Sequence, residues 1–457
     1  MSSSPRVFRL PMLFAVLFLL AACAAHPPVA SPDAWRASRP LAARGATADT
    51  LQLGLGRVEI TPDHPVPLGG YGIYAGAYKN CRWSKGVHDP LYATALYLQK
   101  GPDQLVVIAL DLLGLVKPDQ DDLRAQTARA LHLDRERVIL TISHTHHGPD
   151  TVGLWGTILP AKSGRDEKYL LWMKKKAVEA ALQAYQNRAA GTISYALGEE
   201  KDLHENVRRA EEPTAPIDDT ITLLVLKNAQ DEVIGTLTNW ACHPTSEDAP
   251  NRLISADWVY YFRQTMAKNV GGIPMFVNGD FGGSVQPSPK WRDSQGITNG
   301  GQGFVWAEAM GGALGRKVAA LVPQAKPLPF DRIEVRYSPV RVQNRNLVYR
   351  IGRSLGIFKM AVPDLGDWYE TQVTAVKMGP LRWGTMPGEM MADLGGQIRQ
   401  SLGGDAQILV ALGQDWLGYI VNAERYDDPR YAYEKMLCFS PQLGPTVVQA
   451  YRTVRFE

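Results

Sequence analysis

The stretch Val138-Ile139-Leu140-Thr141-Ile142-Ser143-His144-Thr145-His146-His147 joins a short apolar run to three imidazoles. The apolar run has the length and β-branched content of a buried strand. Neutral imidazole is the commonest nitrogen ligand for zinc, so the end of this strand is a candidate metal site. Residues two apart on a strand share a face, which would let His144 and His146 converge on one ion while His147 points elsewhere. The alternative is a polar corner between strand and loop.

The residues before this stretch complete a βαβ unit, which indicates the fold class. Segment 105–110 is apolar and predicts a strand, and segment 119–131 predicts a helix that leads into a second strand at 137–142. Parallel strands joined by a helix end at the same edge of a sheet. Asp111 and His144 would therefore lie in the crevice where open α/β sheets bind ligands.

The rest of the chain alternates predicted helices and strands. Periodicity predicts helices over 168–187, 258–268 and 304–321, a β-hairpin over 220–226 and 233–240, and a buried strand over 273–277. The last third mixes strands with one helix. We predict an α/β protein, a layered sandwich of mixed β-sheets flanked by helices, with one large domain over residues 51–457.

Residues 1–22 have the features of a lipoprotein signal peptide. Arg6 and Arg9 supply positive charge ahead of an apolar run over 10–20. The run ends in Leu20-Ala21-Ala22-Cys23, which resembles a bacterial lipobox. We therefore expect an exported protein whose lipidated cysteine anchors it in the bacterial cell envelope, facing the periplasm or in the outer membrane. An uncleaved N-terminal helix is the alternative.

The composition bears on the partners of the mature chain. Residues 23–50 are rich in Ala, Pro and Ser and predict a flexible tether between the lipid and the fold. The formal net charge is +3, of which the signal segment supplies part, and no long basic run would follow a phosphate backbone. Nucleic acid is therefore not an expected partner.

Three cysteines follow the lipobox: Cys81, Cys242 and Cys438. This number does not define a disulfide framework, although an exported protein could form one bridge, and the choice of pair stays open. Cys242 adjoins His243 and could be mistaken for a metal ligand. A small buried thiol is the predicted state.

Two later segments contain residue types that ligate zinc. Trp240-Ala241-Cys242-His243-Pro244 ends the second hairpin strand, so His243 also lies where a strand gives way to a loop. Glu389 follows Pro387-Gly388 in a tight turn, where its carboxylate caps a helix or lines a cleft. A catalytic zinc takes three protein ligands and keeps one position open, and His144, His243 and Glu389 could supply the three. Taken singly, each is also consistent with a structural role.

Several motifs occur in an order that is found in one known family. They are Gly72, His88-Asp89-Pro90-Leu91-Tyr92-Ala93, Asp111-Leu112-Leu113-Gly114, Ser143-His144-Thr145-His146, Asn239-Trp240 with His243, and Pro387-Gly388-Glu389. Together they resemble the catalytic domain of neutral ceramidases, over roughly residues 52–445. That family hydrolyses the amide of N-acylsphingosines with one zinc ion.

The resemblance implies roles for several residues. His144, His243 and Glu389 match the family's zinc ligands. Tyr419 matches its tyrosine ligand, with ordinary packing at a strand end as the alternative. Zinc-activated water would attack the amide carbonyl. His146 would shuttle the proton, because the departing amine must be protonated by an acid with a pKa near the working pH.

Two further roles have competing positions. Arg208 resembles the arginine that faces the oxyanion or a substrate hydroxyl, with Arg209 as a rival and a surface ion pair as the alternative. Tyr431 resembles a tyrosine that donates a hydrogen bond to the developing oxyanion. Tyr426 and Tyr433 compete for the same alignment position.

The chain also departs from the family pattern. Ceramidases place a serine two residues after a Gly-Asp pair, whereas Gly279-Asp280-Phe281 is followed here by Gly282. Ser284 comes two residues late. Either Ser284 replaces the family serine, or the serine role is absent and zinc-bound water suffices.

The residues and the resemblance together predict a zinc-dependent amide hydrolase that cleaves N-acyl sphingoid lipids into a sphingoid base and a fatty acid. Its expected partners are this lipid substrate and, through Cys23, a membrane. Two alternatives stay open. One is a related metal amidase with a non-sphingolipid N-acyl substrate, and the other is a non-catalytic envelope lipoprotein that binds a ligand in the same cleft.

Overall fold

The computed structural model describes residues 50–71, 81–157, 160–283, 285–298, 303–358 and 362–456, all of which lie in one compact unit. The predicted signal peptide, Cys23, nearly all of the predicted tether, Gly72 and Ser284 fall outside the described residues. Among the described residues, no helix combines the length and apolar character needed to cross a bilayer.

The strands vary from two to eleven residues. They are β1 (Gln52–Glu59), β2 (Gly86–Val87), β3 (Tyr92–Lys100), β4 (Asp103–Leu110), β5 (Val138–Ile142), β6 (Ala189–Glu199), β7 (His204–Asn206), β8 (Thr220–Asn228), β9 (Val233–Trp240), β10 (Leu253–Ile254), β11 (Ile273–Asn278), β12 (Val285–Pro287), β13 (Lys326–Pro327), β14 (Glu334–Gln343), β15 (Trp368–Met378), β16 (Leu381–Thr385), β17 (Glu389–Met390), β18 (Ala406–Val410) and β19 (Tyr419–Ile420).

The α-helices lie between these strands and at the carboxyl end. They are α1 (Lys117–Leu131), α2 (Glu167–Gln186), α3 (Trp258–Asn269), α4 (Pro289–Ser294), α5 (Val305–Ala319), α6 (Leu347–Ser354), α7 (Ala392–Leu402), α8 (Ala432–Leu437) and α9 (Leu443–Thr453). Short 3-10 turns occur at Arg135–Arg137, Val207–Ala210, Val322–Gln324, Ala423–Arg425 and Pro429–Tyr431.

Two mixed sheets form the centre of the fold. The larger has the order β11-β9-β8-β6-β1-β3-β4-β5, with β13 paired to β6, and the smaller has the order β14-β15-β16-β18. Most neighbours are antiparallel, but β4 pairs in parallel with β5, β9 with β11 and β16 with β18. The predicted βαβ unit is confirmed, with Leu110 opposite Ile142 at the carboxyl ends of β4 and β5.

Apolar side chains stack these elements in four layers. Leu105 and Leu224 of the larger sheet pack in one core with Val376 and Trp383 of the smaller sheet. Helices α1 and α2 cover part of the other face of the larger sheet, and α3 and α5 cover β8 and β9. Helices α7 and α9 cover the smaller sheet. The predicted layered α/β sandwich of mixed sheets flanked by helices is therefore confirmed.

The carboxyl-terminal third differs from its prediction. The sequence predicted strands with one helix, whereas α6, α7, α8 and α9 all lie there. None of these four helices exceeds eleven residues. Such short helices have few turns, so the apolar period on which the prediction depended is hard to detect.

Candidate metal centre

Two histidines face each other where β5 and β9 end. His144 Nδ1 lies 2.6 Å from the carbonyl oxygen of Leu113, and His243 Nδ1 lies 2.7 Å from that of Val285. A carbonyl only accepts hydrogen bonds, so each Nδ1 carries the hydrogen and each Nε2 presents a lone pair. Both side chains are buried. This is the orientation in which second-sphere carbonyls prepare histidines to bind a metal.

Glu389 of β17 completes this group. Its Oε2 lies 3.4 Å from His144 Nε2 and 3.3 Å from His243 Nε2, and its side chain is buried. Burial alone would raise the pKa of Glu389, but the electrostatic effect of the adjoining His144 and His243 rings lowers it to about 2. The carboxylate is thus ionised and aimed at the two imidazoles.

His146 also reaches this centre. Its Nε2 lies 3.3 Å from His144 Nε2, and each of His144, His146 and His243 offers a ligand atom within 4.8 Å of the others. His144 and His146 converge as predicted. They do not do so as neighbours on one face of a strand, however, because β5 ends at Ile142. His144 has φ of 70°, a left-handed conformation that turns the backbone between the two rings. His147 instead lies 3.4 Å from the carbonyl of Asp248.

The donor atoms of this group fit a metal ion. Three imidazole nitrogens and a carboxylate crowd together as hydrogen-bond acceptors, and such atoms repel unless a cation or shared protons lie between them. His146 Nδ1 is buried and has no hydrogen-bond partner among the described residues. Burial, together with His144 and His243, lowers the pKa of His146 well below its usual value, so protons are held weakly there. Nitrogen donors with one carboxylate suit zinc.

The side chain of Asn278 joins the two segments that carry the histidines. Its Nδ2 donates to Ser143 O at 3.0 Å and to Cys242 O at 2.9 Å, and its Oδ1 accepts from Cys242 N at 3.1 Å. Ser143 and Cys242 directly precede His144 and His243. Asn278 is fully buried at the end of β11. Sequence reasoning missed it, although its position at a strand end beside Gly279-Asp280 was a usable signal.

The loop after Asn278 packs against the same group. The Phe281 ring lies 5.0 Å from the His144 ring and 4.6 Å from the His243 ring. Gly282 N donates to Met390 O at 2.8 Å, and a Cβ at Gly282 would collide with the Glu389 carbonyl. Residue 282 is where the resemblance would put a serine, so close backbone packing leaves no room there for a side chain. A ceramidase-like serine side chain is therefore absent from this position.

Tyr419 lies beside Glu389. The strands β17 and β19 pair in parallel with Glu389 opposite Tyr419. Tyr419 is buried, and burial and the Glu389 charge raise the pKa of its phenol well above its usual value. Its side chain shares a hydrogen bond with Tyr433, and the two rings are 5.7 Å apart. The predicted tyrosine ligand is thus next to the group, in its protonated form.

The competing arginines occupy different environments. Arg208 donates to both carboxylate oxygens of Glu434 at 2.9 Å, and Glu434 is fully buried. Arg209 is exposed and donates to Ala215 O at 2.9 Å. Arg208 is therefore the arginine that faces inward, and its guanidinium forms an internal ion pair.

The three competing tyrosines also lie in different environments. Tyr431 is buried, and its hydroxyl donates to Glu212 at 2.6 Å. Tyr426 lies with its ring 4.5 Å from Lys435 Nζ. The Tyr431 hydroxyl is directed to Glu212, whereas Tyr433 contacts Tyr419, which pairs with Glu389.

The three cysteines do not join the centre. Cys81, Cys242 and Cys438 are free and buried. Burial raises the pKa of Cys242 well above its usual value, so it stays a thiol rather than becoming the thiolate that binds zinc. The predicted buried thiol is confirmed.

Comparison with known proteins identifies the fold. No protein-family model matches the sequence. Neutral ceramidase from Pseudomonas aeruginosa superposes with a TM-score of 0.73 at 17% identity, covering 89% of this chain and 74% of that chain. A ceramidase complexed with C2 gives a TM-score of 0.71, with the same identity and coverage. The chain therefore has the fold of neutral ceramidases, and the resemblance noted in its motifs is confirmed at the level of fold.

We expect the purified protein to bind about one divalent zinc, and His243→Ala to weaken that binding at least 100-fold, since one of its few ligands is lost. Cys242→Ala, which removes a neighbouring thiol, is the matched control and should bind zinc normally. Competition with a chromogenic chelator measures both. Equal weakening by the two variants would contradict the assignment of His243 as a ligand.

Proposed function

We propose that this protein is a zinc-dependent amide hydrolase that cleaves N-acyl sphingoid lipids to a sphingoid base and a fatty acid. The observation that carries the proposal is the buried group of His144, His243 and Glu389, with His146 beside it, within the fold of a neutral ceramidase. A buried set of acceptors costs stability unless a ligand or a reaction uses it.

His144, His243 and Glu389 would hold the zinc ion, with Tyr419 as a further candidate ligand. When bound, zinc would lower the pKa of a water molecule and polarise the amide carbonyl. His146 would accept a proton at Nε2, because this atom lies 3.3 Å from His144 Nε2 and so faces the proposed metal position. It would then give this proton to the departing nitrogen, which leaves as an amine only when it is protonated.

Tyr433 is the tyrosine that we assign to the developing oxyanion. It is 44% exposed, in contact with Tyr419, while Tyr431 is fully buried and hydrogen-bonded to Glu212. A phenol at the border between buried ligands and solvent can meet a substrate carbonyl. Arg208, held by Glu434, would act by fixing this rim rather than by binding substrate as a free cation.

A second candidate function is supported by the Gly282 loop. The fold is that of neutral ceramidase, but a side chain at residue 282, where the family motif has serine, would collide with the Glu389 carbonyl. A hydrolase that works without that serine need not share the substrate of the family. A related metal amidase acting on a non-sphingolipid N-acyl compound is therefore the alternative.

The first test is hydrolysis of a fluorescent N-acylsphingosine by the protein before and after chelation. We expect cleavage to stop with chelation and return with zinc. His146→Ala should keep zinc but lower kcat about 100-fold or more, the usual effect of losing a general acid–base residue. His144→Ala should lose both zinc and turnover.

Zinc binding without ceramide cleavage, but with turnover of another N-acyl amide, would favour the second candidate. If neither substrate were cleaved by the zinc-loaded protein, a ligand-binding lipoprotein would be the better interpretation. An exchange of the His144→Ala and His146→Ala phenotypes would reverse the assignment of ligand and proton shuttle.

The tyrosine assignment has its own test. We expect Tyr433→Phe to lower kcat about 100-fold with zinc retained, as for loss of one oxyanion donor. Tyr431→Phe is the matched control: kcat should change little, while the free energy of unfolding falls by about 1 kcal/mol because Glu212 loses a donor. Steady-state kinetics and urea unfolding measure the two effects. A larger loss of kcat in Tyr431→Phe than in Tyr433→Phe would assign the oxyanion contact to Tyr431.

We also propose that the protein is exported and anchored in the bacterial envelope by a lipid on Cys23. The support is the sequence over 1–23, with its basic start, apolar run and lipobox-like end. Cys23→Ala should move the protein from the membrane to the soluble envelope fraction, while Cys81→Ala should not. Membrane association that survives Cys23→Ala through salt and carbonate washes would refute lipid anchoring.

A further inference from the structure

His146 is held differently from the other two histidines of the centre. Carbonyl oxygens accept from Nδ1 of His144 and of His243, which fixes both of those rings. Nδ1 of His146 is buried and has no such partner among the described residues. Because β5 ends at Ile142, His146 also lies beyond the hydrogen-bonded ladder of the sheet. Its orientation therefore depends on the residues that pack around it.

The side chain of Arg82 joins the backbone of His146 to two other segments. Its Nη1 donates to His146 O at 2.9 Å and to Gly69 O at 3.1 Å, and its Nη2 donates to Asn251 O at 2.9 Å. Arg82 is only 2% exposed. Hydrogen bonds from a charged donor are stronger than neutral ones, and these bonds offset part of the cost of burying a guanidinium. One side chain thus fixes three loops relative to one another.

The segment after Gly69 contacts the ring of His146. Gly70 lies against this ring, since a Cβ there would collide with Cγ, Cβ and Nδ1 of His146. The Tyr71 ring meets the His146 ring edge to face, with centroids 4.8 Å apart. The Arg82 guanidinium lies 5.0 Å from the centroid of the Tyr71 ring. Backbone and ring of His146 are therefore both restrained by Arg82, Gly70 and Tyr71, which we call the His146 clamp.

The His146 clamp leaves the catalytic edge of the ring open. Gly70 approaches Cγ and Nδ1, the side of the ring away from Nε2, whereas Nε2 lies 3.3 Å from His144 Nε2. A group that transfers a proton must stay within hydrogen-bond reach of the reacting atoms, and a displacement of about 1 Å can lower a rate about 100-fold. The clamp therefore acts on the coordinate that matters for proton transfer.

The geometry of the His146 clamp requires arginine at residue 82. A guanidinium is planar and presents several N–H donors in a rigid fork, so it can reach carbonyls of three segments at once. The lysine ammonium is a compact charge on a flexible stem and cannot reproduce that fork. Arg82→Lys therefore keeps the positive charge but loses the alignment.

We propose that Arg82, through Gly70 and Tyr71, is the positioning residue that holds His146 for proton transfer at the metal centre. Arg82 does not touch the reacting atoms itself and acts only through His146. The proposal deepens the proposed amide hydrolase, on which the role of His146 as proton shuttle rests.

The test measures kcat, KM and zinc affinity for Arg82→Lys. We expect kcat to fall about tenfold or more, because His146 is displaced. KM and zinc affinity should change less than about threefold, because zinc binding depends on other side chains. In a His146→Ala background, Arg82→Lys should have no further effect on kcat, since residues that act as one unit are not additive. Equal losses of kcat in both backgrounds would overturn the proposal.

Arg124→Lys is the matched control. Arg124 is fully buried, and it donates to Val138 O at 3.0 Å and to Arg135 O at 3.3 Å. Val138 is the first residue of β5, at the opposite end of the strand from the one that leads to His144. The control should lower the free energy of unfolding, as Arg82→Lys does, but leave kcat unchanged. Comparable falls of kcat in both variants would assign the effect to lost stability and overturn the proposal.

Tyr71→Leu provides a second test, which does not require Arg82→Lys to fold. It removes the ring edge from His146 and leaves Arg82 in place. We expect lower kcat with zinc affinity retained, and no further loss when His146→Ala is also present. An unchanged kcat would overturn the proposed clamp.

Crystal structures of the zinc-loaded parent and of zinc-loaded Arg82→Lys separate this proposal from the proposed function. We expect the distance between His146 Nε2 and His144 Nε2 to grow by about 1 Å or more in the variant. If the parent hydrolyses no N-acyl amide, the proposed function fails, but a displaced His146 ring would still support Arg82 as the residue that positions it. Hydrolysis by the parent with an unmoved ring in the variant would overturn the role of Arg82 and leave the proposed function intact.

Discussion

The metal centre depends on the amide of Asn278, which ties together two segments that are about a hundred residues apart in the sequence. One side chain hydrogen-bonds to Ser143 and to Cys242, and each of these precedes a histidine of the centre. Because an amide is both donor and acceptor, it can satisfy backbone groups of both segments at once. The distance between His144 and His243 is thus fixed by buried hydrogen bonds rather than by the histidines themselves, which would repel as facing acceptors.

His144, His243 and Glu389 each have a second contact that restricts their orientation. Carbonyls of Leu113 and Val285 hold the two Nδ1 atoms, Phe281 packs on both rings, and strand pairing with β19 fixes the backbone of Glu389. Such second contacts commonly preorganise a metal site before the ion binds. The same packing excludes a side chain at Gly282. Glycine at position 282, where the ceramidase motif has serine, allows the two backbones to approach this closely.

The rim of the centre is built from the carboxyl-terminal third, which the sequence described least well. Its helices are short, and three tyrosines there, Tyr426, Tyr431 and Tyr433, competed for one position, as Arg208 and Arg209 did earlier in the chain. The structure separates these candidates by their partners, since Arg208 pairs with the buried Glu434 and Tyr431 donates to Glu212. A shift of one or two positions alters the motif only slightly, but it moves a side chain to another face of the chain. Local sequence therefore could not distinguish the surroundings of Tyr426, Tyr431 and Tyr433.

The sequence by itself determined the βαβ unit around β4 and β5, the layered α/β class and the placing of His144 and His243 at strand ends. These depend on apolar periodicity and turn residues, which act locally. Only the tertiary structure decided that Glu389 meets both histidines, that Asn278 links their segments, and that Tyr419 lies beside Glu389. Those features join residues distant in the chain, and such contacts are set by the packing of sheets and helices, which no short stretch of sequence encodes.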